Sequence, residues 1–174
     1  MARLTGRSAD LLSYEEVRQK LKVKGMGKWG LEDIPLDAIV GSVGRYTDFT
    51  RSFLPRQDSD EERWARVKVA VTDLGGLPPI EVYQIGQAYL VRDGNHRVSV
   101  ARQVAATHIQ AYVTEVRTKV PLLPDTQPDD LILKAEYTDF LERTRLDELR
   151  PEADLSVTVP GQYQALEEHI EVHR

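Results

Sequence analysis

Cysteine is absent from the 174-residue sequence. Disulfides, thiolate metal sites and cysteine nucleophiles are therefore excluded, and the redox compartment is left open. No apolar run approaches membrane-spanning length, and the first residues lack the apolar core of a secretory signal. A cytoplasmic protein with no membrane partner is the default expectation. An excess of positive charge is missing too. The formal net charge is −5, whereas binding nucleic acid by general electrostatics is a property of basic chains. DNA is thus not the favoured partner, although a local basic patch would still allow it. What is present is ordinary: 41% apolar and 29% charged residues are enough to bury a core, and the length fits one domain with an appendage.

One stretch organises the chain, Tyr89-Leu-Val-Arg-Asp-Gly-Asn-His-Arg-Val-Ser-Val-Ala-Arg102. Ala88 to Val91 reads as a short buried strand. Asp93-Gly94 breaks it, because glycine permits the angles of a sharp reversal. Asn95 or Asp93 can cap the helix that follows, in which Val98, Ala101 and Val104-Ala105 recur at helical spacing. Such a unit points the free N–H groups of a first helical turn out of the top of a sheet, with His96 and Arg97 in that turn. The arrangement suits an anion, above all a phosphate. The same unit is also built where Asp-Gly only turns the chain and His-Arg is only solvated, and spacing alone leaves both readings open.

The surrounding pattern is readable in pieces. Ser13 and Glu16 have capping-box spacing before a helix running to about Val23, and Leu12 with Val17 has staple spacing. Arg18, Lys20, Lys22, Lys24 and Lys28 make this the most basic segment; it is either a solvated helix face or an arm that contacts phosphates. Gly25, Gly27 and Gly30 suggest a flexible connection. Ile34 to Val40 reads as a strand entered through Pro35. Gly41 to Arg56, with Arg45, Tyr46, Phe49, Arg51 and Phe53, has no period and reads as a ligand loop or an irregular one. Ser59 to Glu62 is a second capping box, Trp64, Val67, Val71 and Leu74 form one apolar helix face, and Gly75-Gly76 closes it. Ile80 to Tyr83 is a strand, joined through Ile85-Gly86 by a hairpin to the next. Ile109, Ala111 and Val113 alternate as a strand after the central helix. A strand, a helix and a further strand make a crossover unit.

Val120 to Pro128 reads as a linker. A helix opens at Asp129-Asp130, Leu146 and Leu149 close that piece, Leu155, Val157 and Val159 alternate as a short strand, and Tyr163, Leu166 and Ile170 form a helical stripe. The chain stops in mid-helix without a cap, which suggests a longer protein. His169 and His173 have metal-ligand spacing, but the rest of a metalloprotease motif is missing. Ser99 lies in a helix without a nucleophile elbow or a partner. The organisation expected is an N-terminal helix and basic segment over residues 1–30, an α/β domain over 31–118 and a C-terminal α/β extension over 119–174.

The run Pro79-Ile-Glu-Val82, Tyr89 to Arg97, Val98 to Ala101 and Ile109 to Val113 resembles the ParB N-terminal / sulfiredoxin-like superfamily. Upstream, Ile34 to Ile39 and Arg45 resemble the opening strand and first box of ParB, so the resemblance spans roughly Ile34 to Val116. It implies a mixed α/β (α+β) fold: a small mixed sheet with a strand-turn-helix-strand crossover, plus a helical extension at the C-terminus. It also implies a nucleotide held by the turn after the strand. Sulfiredoxins carry Gly-Cys-His-Arg there; Gly94, His96 and Arg97 match, but Asn95 stands at the cysteine, so sulfiredoxin chemistry is excluded. ParB proteins carry Gly-Glu-Arg-Arg and bind CTP with Mg; Arg97 matches, His96 takes a cationic position and Asn95 replaces the glutamate. The downstream helix-turn-helix of ParB has no counterpart in residues 129–174. Free-serine kinases of this fold have a similar Asp-Gly-His turn, and Glu32, Asp33 and Asp37 are guesses for their second acidic residue.

The resemblance and the residues together give a nucleotide site. ATP, ADP or CTP with Mg is the expected cofactor, held by Gly94, Asn95, His96, Arg97 and Arg45. Arg97 would make a forked contact that lysine could not reproduce. Asp93 either binds Mg and accepts a proton or is a structural cap, and His96 either donates to a phosphate oxygen or caps locally. Asp93 and His96 are the candidate catalytic pair, for nucleotide hydrolysis or for phosphate transfer to a small-molecule acceptor. The alternative is a regulatory or DNA-associated module without catalysis. A homodimer is a further expected partner.

Overall fold

The computed structural model describes residues 8–56, 62, 65, 68, 69 and 78–172. The capping box at Ser59, the Trp64 to Leu74 stripe, Gly75-Gly76 and His173 lie outside the described residues. In chain order the elements are β1 (Leu12–Ser13), α1 (Tyr14–Lys20), β2 (Gly25–Pro35), a 3-10 turn (Leu36–Ala38), β3 (Ile39–Ser42), β4 (Ile80–Ile85), β5 (Ala88–Asp93), α2 (Asn95–Gln103), β6 (His108–Arg117), α3 (Asp130–Thr144), α4 (Leu146–Leu149) and α5 (Gln162–Val172). The strands form one mixed sheet in the order β1-β3-β5-β4-β6-β2. The mixed α/β fold expected from the sequence is the fold observed.

Strand alternation divides the core between the two faces of this sheet. In β5, Tyr89 and Val91 face one side with Ile80, Val82, Val98 and Ala101, together with Phe49 and Phe53 from the loop after β3. Leu90 and Ala88 face the other side with Leu12, Val17, Leu21, Val116, Leu122 and Leu131. A third cluster, Val120, Phe140, Leu141 and Tyr163, ties the last helices together.

Several expectations change in the structure. The glycine-containing stretch after α1 is the long strand β2, not a flexible connection. Pairing with β6 from Gly25↔Arg117 to Pro35↔His108 supplies the order that glycine lacks by itself. Ile34 to Val40 is not one strand. Because β2 and β3 lie on opposite sides of the sheet's centre, the chain must leave the sheet between them, and Leu36–Ala38 makes that passage. Within the N-terminal segment, β1 pairs with β3 and β2 runs through residue 30, so both strands belong to the same sheet. The crossover is also wider than the sequence suggests. The parallel neighbours are β4 and β6, and β5, antiparallel to β4, lies with α2 in the connection between them.

Local details differ for chemical reasons. Ser13 makes no side-chain cap, and Glu16 pairs with Lys20 at 2.6 Å instead of reaching back to Ser13. α2 ends at Gln103, leaving Val104 exposed and Ala105 at φ +57°. Residues 155–159 form no strand; two tyrosines hold that segment instead, Tyr163 Oη accepting the Val157 N–H at 3.0 Å and Tyr137 hydrogen-bonding the Leu155 backbone. The basic segment is largely neutralised: Arg18 pairs with Glu15, Lys22 with Asp139 at 2.8 Å and Lys24 with Glu142. No helix among the described residues is long and apolar enough to cross a membrane.

Gly41 of β3 has no room for a side chain, because a Cβ would overlap the Leu12 carbonyl oxygen and press on Leu90. Gly41→Ala is expected to destabilise the fold by about 1–3 kcal/mol, the usual cost of overpacking. The check is a urea titration in which the midpoint falls at unchanged slope.

Candidate functional site

β5 ends at Asp93, and the chain turns into α2 through Gly94 at φ +112° and ψ +24°. Only glycine takes that conformation without strain. Space makes the same demand, since a Cβ on Gly94 would lie 2.5 Å from Ile80 Cγ2 on the adjoining strand. The N-cap of α2 is Gly94, which has no side chain, so neither Asn95 nor Asp93 plays the capping role. Val98 is the first residue whose N–H is taken up inside the helix, by the Gly94 carbonyl at 3.0 Å. The amides of Asn95, His96 and Arg97 precede it and have no intrahelical acceptor, which leaves partial positive charge at the turn.

The loop after β3 delivers a cation to this turn. Arg45 Nη1 lies 3.1 Å from His96 Nε2, across 51 residues of sequence. A guanidinium has donors only, so Nε2 accepts and the ring hydrogen belongs on Nδ1. Arg45 Nε also donates to Asp48 Oδ2 at 2.6 Å. The buried Phe49 meets the His96 ring edge-on, with centroids 5.1 Å apart at 78°. His96 is therefore held by a cation on one side and an aromatic edge on another.

Arg97 is placed differently from a free phosphate fork. Its Nη1 donates to the Pro79 carbonyl at 2.6 Å, with the Pro78 carbonyl at 3.5 Å, and its Nη2 donates to Asp93 Oδ2 at 2.6 Å. Its side chain is 21% exposed, while that of Asp93 is 70% exposed. Arg97 thus closes the corner between the lead-in to β4, the end of β5 and α2. Asp93 is engaged through one carboxylate oxygen.

Beneath the turn, Asn95 and Ser99 sit one helical turn apart, 7% and 1% exposed. Asn95 Oδ1 and Ser99 Oγ have no hydrogen-bond partner among the described residues. Ser99 carries no weight in the sequence, yet it shares a buried polar stripe with Asn95. Asp48 was missed too; its spacing of three residues from Arg45 was the available signal. The guesses for a second acid do not reach the turn. Glu32 and Asp33 lie on β2 at the far edge of the sheet, and Asp37 pairs with Arg102 in the last turn of α2. Among the described residues no cluster of three or more acidic or histidine side chains could hold a metal.

Residues 48–122 match the family model of the ParB N-terminal domain. The chain therefore carries a ParB-like domain, and the match contains Asp48, Phe49, the β4–β5 hairpin, the turn and α2. No curated protein matches the chain. Among solved structures it is similar to a sulfiredoxin from Arabidopsis thaliana, at 15% identity and TM-score 0.37 over 48% of this chain and 83% of that one. It is also similar to a C-terminally truncated chromosome-partitioning protein ParB from Caulobacter crescentus, complexed with CTP-gamma-S, at 19% identity and TM-score 0.37. That alignment covers 72% of this chain and 56% of the ParB chain. A Pnob8-like ParB-N domain aligns at 9% identity and TM-score 0.33 over 73% of this chain and 40% of its own. The chain thus spans little more than half, or less, of these two ParB chains.

Arg97→Ala would leave the Pro79 carbonyl and the Asp93 carboxylate without their donor. It is expected to lower stability by about 1–3 kcal/mol in the absence of any ligand, as read by chemical denaturation. Gly94→Ala is expected to cost at least as much, because left-handed strain of about 1–2 kcal/mol adds to the contact with Ile80.

Proposed function

We propose that this ParB-like domain binds a nucleotide through its phosphates at the N-terminus of α2. One observation carries the reading: Arg45 is brought against His96 in the first turn of a helix whose cap offers no side chain. Amides at a helix N-terminus, a cation from a separate loop and a glycine turn are the elements of a phosphate cradle. Here Gly94 gives close backbone approach, the N–H groups of Asn95 to Arg97 donate, and Arg45, braced against the His96 ring, supplies the side-chain contact. Arg97 acts from behind by fixing the turn, and its own amide joins the donors. Among the described residues the buried Asn95 amide oxygen has no donor. That suits a ligand carrying N–H or O–H groups along with its phosphates, as a nucleotide does.

ATP, ADP and CTP are the candidates, with Mg. The metal would neutralise phosphate charge, and magnesium is commonly held by one or two carboxylates plus phosphate oxygens. Asp93, exposed and with one oxygen left over, is the residue to hold it. Asp93 and His96 are also the pair to serve hydrolysis or transfer to a small-molecule acceptor. The DNA-associated alternative loses its main support, because Arg18, Lys20, Lys22 and Lys24 are engaged by carboxylates.

The test is a thermal-shift series with ATP, ADP and CTP, each with and without Mg, on wild type and Arg45→Ala. A nucleotide at a hundredfold its Kd stabilises by about 2.7 kcal/mol, roughly 5–10 °C for a chain of this size. At least one nucleotide is expected to shift the wild type, and Arg45→Ala should remove most of the shift, measured relative to the variant's own unliganded melting temperature. The absence of any shift at millimolar nucleotide overturns the proposal. DNA binding with a steep salt dependence and no nucleotide effect would favour the alternative instead.

A further inference from the structure

A concavity lies away from α2, in the C-terminal part of the chain, with a volume of ≈ 550 Å³. Small-molecule sites commonly measure roughly 300–1,000 Å³. Tyr137 and Tyr163 form part of its wall, their rings 5.1 Å apart and 6° from parallel, and Leu133 and Val157 add apolar surface. This wall is fixed without a ligand, because both tyrosine hydroxyls are bonded to the backbone of the 155–157 segment.

The charge around the hollow is one-sided. Asp125, Asp130 and Asp154 line it, against Lys134. The Lys134 ammonium donates to the Pro121 carbonyl at 3.0 Å, while Asp130 and Asp154 accept from the Gln127 and Ser156 amides, which leaves three carboxylates against one ammonium. The three carboxylates are spread around the hollow and do not converge into a metal cluster. Dispersed negative charge around an apolar, aromatic interior matches a molecule with a positive head and a greasy body, and aromatic faces add attraction for such a head. We infer that this cavity binds a small organic cation with an apolar or aromatic body, independently of any ligand at α2. Its ammonium would sit at the aspartate rim and its body against Leu133, Val157 and the tyrosine pair.

Three probes of one shape and different charge test this on the full chain: phenethylamine, 2-phenylethanol and 3-phenylpropionate. At tenfold its Kd the amine is expected to raise the melting temperature by roughly 3–6 °C, the alcohol by less and the acid not at all. Leu133→Trp fills the hollow and should abolish the shift. Asp154→Asn, at the exposed rim, should weaken the amine alone. Should Leu133→Trp not fold, amide chemical shifts of the wild type decide, with Val157 and Tyr163 expected to move on adding the amine. The inference is overturned by equal binding of the acid, by an amine shift that survives both substitutions, by amide changes elsewhere only, or by no amine binding at millimolar concentration.

Discussion

The guanidinium of Arg97 is the joint on which this architecture depends. Prolines 78 and 79 enforce an extended entry to β4, and the Pro79 carbonyl there lies half-buried beside α2. Arg97 donates to it and grips Asp93 with its other nitrogen. One side chain of α2 thereby fixes the start of one strand and the end of its neighbour. Gly94 completes the joint, since only a residue without Cβ lets the turn settle against Ile80. The direction in which the first helical amides point follows from this corner. It is set by the scaffold before any ligand arrives, which is what preorganised recognition of an anion needs.

The central unit was legible in the sequence because its signals are local. The hairpin at Gly86, the break at Asp93-Gly94 and the helix from Asn95 each follow from residues within a few positions of one another, and so does the alternation of β6. The misreadings share a different cause. Gly25, Gly27 and Gly30 have no strand propensity of their own, and only pairing with β6, some eighty residues later, makes β2. The 3-10 turn at Leu36–Ala38 arises from where β2 and β3 sit in the sheet, a fact invisible until the strand order is known. Leu155 to Val159 alternates like a strand but finds no neighbour, and tyrosine hydroxyls satisfy part of its backbone instead.

At the site the fold brings together several of the residues singled out in the sequence and gives one of them an unexpected setting. Arg45 was singled out from an irregular loop, and it does reach His96. Arg97 was expected to make a forked contact with a phosphate, but a periodic pattern cannot show that two proline carbonyls lie within its reach. Asp48 and Ser99 escaped for the opposite reason. Neither carries a motif, and each acquires meaning only from what the fold sets beside it. The cations of α1 teach a similar lesson: Lys22 and Lys24 look like an arm for an acidic partner until α3 arrives with Asp139 and Glu142.

β2 ends the sheet, and its outer side has no strand partner among the described residues. Trp29 is 68% exposed there and stacks on Tyr112, with Met26 and Leu31 also open to solvent. A long greasy rim of this kind invites other chains to add on and grow into fibrils. The register slips between Met26 and Trp29, and a slip of that sort bends and twists the strand locally. That kink, with the charges of Lys28, Glu32 and Asp33 beside it, spoils the flat template that runaway stacking requires, so the molecule can carry an open border without polymerising along it.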